Sequence, residues 1–174
     1  LTEGGFLARR RTGGGAVYHD LGNLNFSFVA DKNIYDVKRQ MQVIQKALLD
    51  FNLETEVSGR NDITYQGRKF SGNAFAKTKN QGLHHGTILI KTDSERLQKY
   101  LKVKPAKLHK HGVKSVSSRV INLSEVADIT SENIIPHLIR AFEDVYQGSA
   151  TIISFDNLCD ENAIRLSQHI GSDE

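Results

Sequence analysis

Residues 54–91 read ETEVSGRNDITYQGRKFSGNAFAKTKNQGLHHGTILIK. Four β-like runs fall at 54–58, 62–66, 68–76 and 83–91, and Gln66-Gly67 is a two-residue hairpin signal between the second and third. No helical period interrupts them, so neighbouring strands are expected to pair by tight turns rather than through crossover helices. Upstream, Leu24, Phe26 and Phe28 alternate with Asn25 and Ser27, the period of a half-buried strand within a glycine-interrupted extended region over 5–30. From Tyr35 to Phe51 the period changes: Val37, Met41, Ile44, Leu48 and Phe51 share one helical face. Downstream, a short helix is expected over Ser94–Leu101, and Thr130 or Ser131 caps a helix to about Gln147 with Pro136 in its first turn. Ala150–Phe155 reads as a buried strand, and Asp160 caps a last helix to Ile170. Strands in sequence with helices clustered late indicate an α+β fold, a mainly antiparallel or mixed sheet flanked by helices.

The 174 residues suit one domain, with 39% hydrophobic and 25% charged residues and a mean hydropathy of −0.40. No apolar run approaches the roughly 20 residues of a membrane span, and the opening Leu1-Thr2-Glu3-Gly4-Gly5 lacks the pattern of a secretory signal. The single cysteine, Cys159, cannot form an internal disulfide, which points to a reducing, cytoplasmic setting. The net charge of +3 conceals a segregation. No acid lies between Glu95 and Glu125, where Arg96, Lys99, Lys102, Lys104, Lys107, Lys110, Lys114 and Arg119 stand. Such a window attracts anions, or is simply a solvated lysine-rich loop.

Three clusters carry potential chemistry. In Arg9-Arg10-Arg11-Thr12-Gly13-Gly14-Gly15-Ala16-Val17-Tyr18-His19-Asp20, glycines bring bare N–H groups near a ligand and arginines add forked positive charge. The same residues would also suit a flexible hairpin loop. A Rossmann fingerprint would lead into a helix and a Walker loop needs Gly-Lys-Ser/Thr, so both are excluded. The second cluster is Gly59-Arg60-Asn61-Asp62 with Arg68-Lys69-Phe70-Ser71-Gly72-Asn73-Ala74. Strand alternation places Lys69 and Ser71 opposite Arg68 and Phe70, so Lys69 faces a pocket while Phe70 packs. Gly72 and Ala74 leave room for a ligand along the backbone, and Asp62 offers an oxygen to Mg²⁺. The third is His84-His85-Gly86-Thr87, whose adjacent histidines face opposite ways and so do not share a metal. Cys159 as a nucleophile is opposed by Asp160 beside it.

In that order, the Arg9–Asn25 stretch, Gly59-Arg60-Asn61-Asp62, Lys69 with Gly72-Asn73-Ala74, and His84-His85-Gly86-Thr87 resemble the lipoate-protein ligase family over nearly the whole chain. The resemblance implies the catalytic fold shared with biotin ligases and octanoyltransferases, with residues 1–174 as a catalytic domain incomplete at both ends. It implies that lipoate attacks the α-phosphate of ATP, and that lipoyl-adenylate then acylates a lysine of an acceptor protein. Carried across by motif, Arg10, Gly15, Ala16, Val17, Tyr18 and Lys69 would contact ATP, and Lys69 would be the catalytic lysine. Lys69, Gly72, Asn73, Ala74, His85 and Gly86 would line the lipoate site, and Asp62 would hold Mg²⁺. The implied partners are lipoyl domains of 2-oxoacid dehydrogenase E2 subunits and the glycine-cleavage H protein, with neither nucleic acid nor membrane. The Lys102–Arg119 stretch resembles the family loop that closes over the adenylate.

Two rivals differ in what they need. An octanoyl- or lipoyl-transferase of the same fold would work without ATP. A non-catalytic anion or nucleic-acid binding module would fit the pI of 9.0, but Tyr100 is the only aromatic of the basic stretch, so interleaved base stacking is missing.

Overall fold

A computed structural model of the chain describes residues 4–10, 12–101 and 119–154. The elements are β1 (Asn23–Asp31), α1 (Val37–Leu49), β2 (Glu56–Ser58), β3 (Asp62–Tyr65), β4 (Arg68–Lys77), β5 (Gln81–Leu89), α2 (Ser94–Tyr100), a 3-10 turn at Leu123–Glu125 and α3 (Ser131–Tyr146). The sheet runs β1-β5-β4-β3-β2, and every ladder is antiparallel. One parallel bridge, Lys69 to Val120, adds the returning chain beside β4. The α+β expectation is thereby met.

Local chemistry accounts for the boundaries. Asp36 caps α1, its carboxylate accepting from the amides of Lys38 and Arg39 at 2.8 and 3.2 Å. Gln66 and Gly67 both take positive φ, 49° and 74°, the pair a two-residue hairpin needs to follow the strand twist. Thr130 caps α3, and a reciprocal bond from the Thr130 amide to the Asn133 side chain completes the box.

Met41, Ile44 and Leu48 of α1 close over Ile63, Phe70 and Ile88 of the sheet and Leu123 and Ile134 beyond it, making one core. Helix α3 packs on α1 and is tied to it by Lys46–Asp144 at 3.0 Å, His137–Asp50 at 2.6 Å and the Arg39 guanidinium on the Val145 carbonyl at 2.6 Å. The helices therefore cover one face of the sheet and leave the other for a site.

Three expectations need correction. Pro136 is the sixth residue of α3, one turn further in than expected. The carbonyl four residues back, which loses its helical donor to the proline, belongs to the exposed Glu132 at the solvent side of the helix. Ala150–Ser154 form no strand: the Ala150 amide donates to the Glu143 carboxylate at 2.9 Å, and Ile152 and Ile153 beyond it are exposed. An apolar run becomes a strand only by pairing with a neighbour, and residues 150–154 enter none of the ladders among the described residues. Phe155, Cys159, the Asp160–Ile170 helix and positions 102–118 lie outside the described residues.

The third correction concerns β4. Its pairing with β3 shifts between Ile63 and Thr64, so that Ile63 opposes Ser71 and Thr64 opposes Lys69, with Phe70 the extra residue of a bulge. Simple alternation fails across a bulge. Phe70 and Ser71 are both fully buried, whereas Lys69 lies on the uncovered side with Asp62 and Gly72.

Candidate functional site

On the sheet face opposite α1 and α3 lies a cavity of about 390 Å³. Its walls include Arg10, the 13–19 loop, Asn23 and Asn25 of β1, Lys69, Gly72 and Ala74 of β4, His85 and Thr87 of β5, Leu97 and Leu101 at α2, and Val120. The register explains the β1 and β5 contributions: Asn25 opposes Thr87 and Ser27 opposes His85, while Phe26 opposite Gly86 and Phe28 opposite His84 turn to the core.

The glycine loop is shaped by its own arginine. The Arg10 guanidinium donates to the Gly15 carbonyl at 2.7 Å and to the Gly13 carbonyl at 3.0 Å. Gly14 has φ 117°, a backbone conformation that favours glycine, and a Cβ there would lie 2.4 Å from Arg10 Nη2, so the guanidinium would have to leave its place. Arg10 thus spends its fork on loop carbonyls and sets their geometry, a role the sequence expectation of direct anion charge did not include. The turn that follows is equally tight. A Cβ at Gly22 would sit 2.0 Å from the Lys91 carbonyl oxygen, and Gly22 O accepts from the amides of both Ile90 and Lys91. Asp20 bonds the Gly22 amide with one oxygen and the Asp93 amide with the other, joining the loop to the cap of α2.

Lys69 is the cation at the cavity's centre of chemistry. Its Nζ lies 2.7 Å from Asp62 Oδ1, both side chains about one-third exposed. Gly72 allows this: a Cβ there would stand 3.0 Å from Lys69 Cε and Nζ. Asp62 itself does not line the cavity. Among the described residues no group of three or more His, Cys, Asp or Glu could hold a metal. A cation needing one protein carboxylate plus phosphate oxygens remains compatible with Asp62, whose second oxygen is not the one facing Lys69.

His85 presents Nε2 to the Thr12 hydroxyl at 2.6 Å, and burial, then the Arg10 and His19 charges, hold its pKa below the ordinary histidine value. It is a neutral hydrogen-bonding group on the cavity face. Asn73 lines the cavity but directs its side chain elsewhere: Oδ1 faces His84 Nε2 at 2.8 Å, and Nδ2 donates to Asn61 O and Ser71 Oγ at 3.1 and 3.3 Å. Gly86 opposes it, and a Cβ there would meet Asn73 Oδ1 at 2.4 Å. At the loop's far end the Tyr18 and Tyr100 rings stack at 5.8 Å, and a hydrogen bond to Tyr18 raises the pKa of Arg96.

All the candidate residues except Asp62 therefore meet at one cavity. Sequence reasoning missed Asn23, whose Nδ2 donates toward His19 Nδ1 at 3.1 Å while Oδ1 is buried beside the cavity with no partner among the described residues. Its position in Gly22-Asn23-Leu24, where a turn becomes a strand, was the available signal. Leu97 and Val120 carried none, because only tertiary folding brings them to Lys69.

Comparison with known proteins gives the following. Residues 2–143 match the family described as lipoyl protein ligase A/B catalytic domain. The chain is 44% identical over 153 residues to lipoate-protein ligase A of Bdellovibrio bacteriovorus, covering 85% of this chain and 45% of that protein. It thus spans less than half the length of this curated relative. Among solved structures, the bipartite lipoate protein ligase of Thermoplasma acidophilum, studied with its E2 lipoyl domain, superposes with a TM-score of 0.84 at 30% identity, covering 99% and 69% of the two chains. A lipoate-protein ligase A bound with ATP superposes at 0.83 and 28% identity, covering 99% and 70%. The biotin protein ligase of Aquifex aeolicus, at 16% identity and 0.51 over 72% and 53%, shares the fold alone.

Proposed function

Because the chain belongs to the lipoyl protein ligase A/B catalytic domain family, we propose that it is the catalytic portion of a lipoate-protein ligase that forms lipoyl-adenylate from lipoate and ATP. The carboxylate oxygen of lipoate attacks the α-phosphorus and pyrophosphate leaves. The amine of an acceptor lysine then attacks the acyl carbon, forming an amide and releasing AMP and a proton. The acceptors are lipoyl domains of E2 subunits and the H protein of glycine cleavage, and a chain with one cysteine suits the reducing cytoplasm where they work.

The observation that carries this reading is Lys69, an ammonium 2.7 Å from Asp62 in a cavity walled on one side by the Gly13–Tyr18 loop. Moving an acyl carboxylate onto phosphate needs little covalent work from protein; it needs alignment and neutralisation of developing charge. Lys69 supplies both, bridging the lipoate carboxylate and the α-phosphate oxygens. Gly15, Ala16, Val17 and Tyr18, in the loop that Arg10 shapes, take the nucleotide. Gly72 and Ala74 leave space for the acyl chain along β4, the Gly86 backbone and His85 on β5 bound it, and Asn73 holds β4 in place. Mg²⁺ would sit on the phosphates with Asp62 as its protein ligand, supplying charge neutralisation.

The test is calorimetric titration of lipoate with ATP and Mg²⁺, with mass spectrometry for lipoyl-adenylate, on this chain and on Lys69→Ala. Adenylate from the unmutated chain alone is expected. Acyl transfer without ATP would favour a transferase instead. Salt-sensitive nucleic-acid binding that ignores lipoate would overturn the ligase reading.

A further inference from the structure

The strand sequence His84-His85-Gly86-Thr87 carries two histidines, and the proposed chemistry uses only the second. His84 is fully buried, with the rings of Phe26, Phe28 and Phe75 at 5.5, 5.5 and 4.8 Å. A leucine would pack among those rings without desolvating two nitrogens, so the imidazole needs a reason to be there. Both nitrogens are occupied: Nδ1 lies 3.1 Å from Oε1 of the buried Gln40 of α1, and Nε2 lies 2.8 Å from Asn73 Oδ1. Burial pushes the His84 pKa down to about 4, so the ring is neutral at pH 7 and carries one N–H. Asn73 decides which nitrogen holds it. Its Nδ2 already donates to Asn61 O and Ser71 Oγ, so Oδ1 faces His84 and Nε2 must be the donor. Nδ1 is then an acceptor, met by the N–H₂ end of Gln40 once that amide is turned by 180°.

From Asn73 the connection continues to the site. Its amide and its Nδ2 both donate to Asn61 O, at 2.8 and 3.1 Å, and Asn61 Nδ2 returns a bond to Asn73 O at 3.0 Å. Asp62 is the next residue, and it faces Lys69. We propose that His84 is a positioning residue for the Lys69 site, holding Asn73 so that Asn73 clasps the Asn61–Asp62 turn and sets Asp62 against Lys69. The importance of that placement for catalysis rests on the function proposed above; the placement itself does not. The arrangement also accounts for Gly86, since the Asn73 oxygen occupies the space a side chain there would need.

The test uses the unmutated chain first. Histidine ¹⁵N NMR should show His84 as the Nε2–H tautomer that does not titrate between pH 5 and 8; an Nδ1–H tautomer, or titration near the ordinary histidine value, overturns the proposal. Next come His84→Phe, which fills the space without the donor, and His84→Gln, whose Nε2 can reach the same acceptor. In the Phe variant the Asn61 and Asn73 amides should exchange faster, and adenylate formation at saturating substrates should fall about tenfold with KM for lipoate little changed, the scale of one lost hydrogen bond to a positioned group. The Gln variant should recover most of both. Equal loss in both variants, or unchanged exchange in the Phe variant, overturns the positioning role. An unmutated chain that makes no adenylate counts against the ligase reading, while the tautomer and the amide exchange still decide the inference.

Discussion

Two glycines line the same cavity on neighbouring strands, yet alanine at each should fail differently. At Gly86 a Cβ would lie 2.4 Å from Asn73 Oδ1, 2.5 Å from Phe26 Cζ and 2.9 Å from Phe26 Cε1, where unstrained contacts are about 3.5 Å or more. Neither neighbour can yield cheaply. Phe26 is wedged edge-on against Phe28 and His84, and Asn73 Oδ1 bonds His84. Overpacking of this kind costs about 1–3 kcal/mol and the weakened hydrogen bond about 1 kcal/mol more. Stiffening the unfolded chain returns about 0.5 kcal/mol. Gly86→Ala should therefore lose about 1.5–3.5 kcal/mol. At Gly72 the nearest atoms are the end of the Lys69 side chain at 3.0 Å, one-third exposed and free to swing. Gly72→Ala should stay within about 0.5 kcal/mol of the parent in stability while displacing the ammonium from its place beside Asp62. Urea denaturation followed by circular dichroism measures the first quantity, and adenylate formation the second. Equal stability of Gly86→Ala and the parent, or destabilisation of Gly72→Ala to the level of Gly86→Ala, would refute the steric reasoning.

Two further outcomes are expected. The folded-state pKa of His84, about 4, lies below the unfolded value of 6.5, so the unfolded chain binds more protons between them. Stability should be full above pH 6.5 and fall toward pH 4 by up to about 3 kcal/mol, and His84→Gln should remove that part of the slope. Asp50, whose carboxyl His137 holds below the usual range, gives a separate loss at lower pH that the Gln variant retains. Arg10→Met should leave unfolding nearly unchanged, because the bonds it removes are exposed, but raise the calorimetric Kd for ATP about tenfold as the loop carbonyls lose their shared donor. Arg10→Lys should not rescue it, since an ammonium lacks the fork that spans two carbonyls.

Much of this was legible in the chain. The helix over 37–49 follows from apolar spacing and Asp36, and the 66–67 hairpin from a Gln-Gly pair able to take positive φ, because both signals are local. The same holds for three of the site's walls, each written as a contiguous motif. Ala150–Ser154 misled because an apolar run says nothing about whether the fold brings it alongside a strand to pair with. Asn73 lines the cavity but turns its side chain to His84, a direction no local motif carries because it depends on strand register.

The residue types needed at the site, the sequential hairpins of β2 to β5 and the glycines that make room between them were set by the sequence alone, since each depends on neighbours a few positions away, whereas the pairing of β1 with β5 joins residues 50 or more apart. Tertiary structure decided which face each side chain serves. The bulge at Phe70 shifts the parity of β4 and puts Lys69, Gly72 and Asp62 together on the open face, while Ser71 and Asn73 turn to the core. A one-residue change of register moves a side chain across the whole sheet. Only the assembled ladders, with α1 covering one face, specify where that change falls.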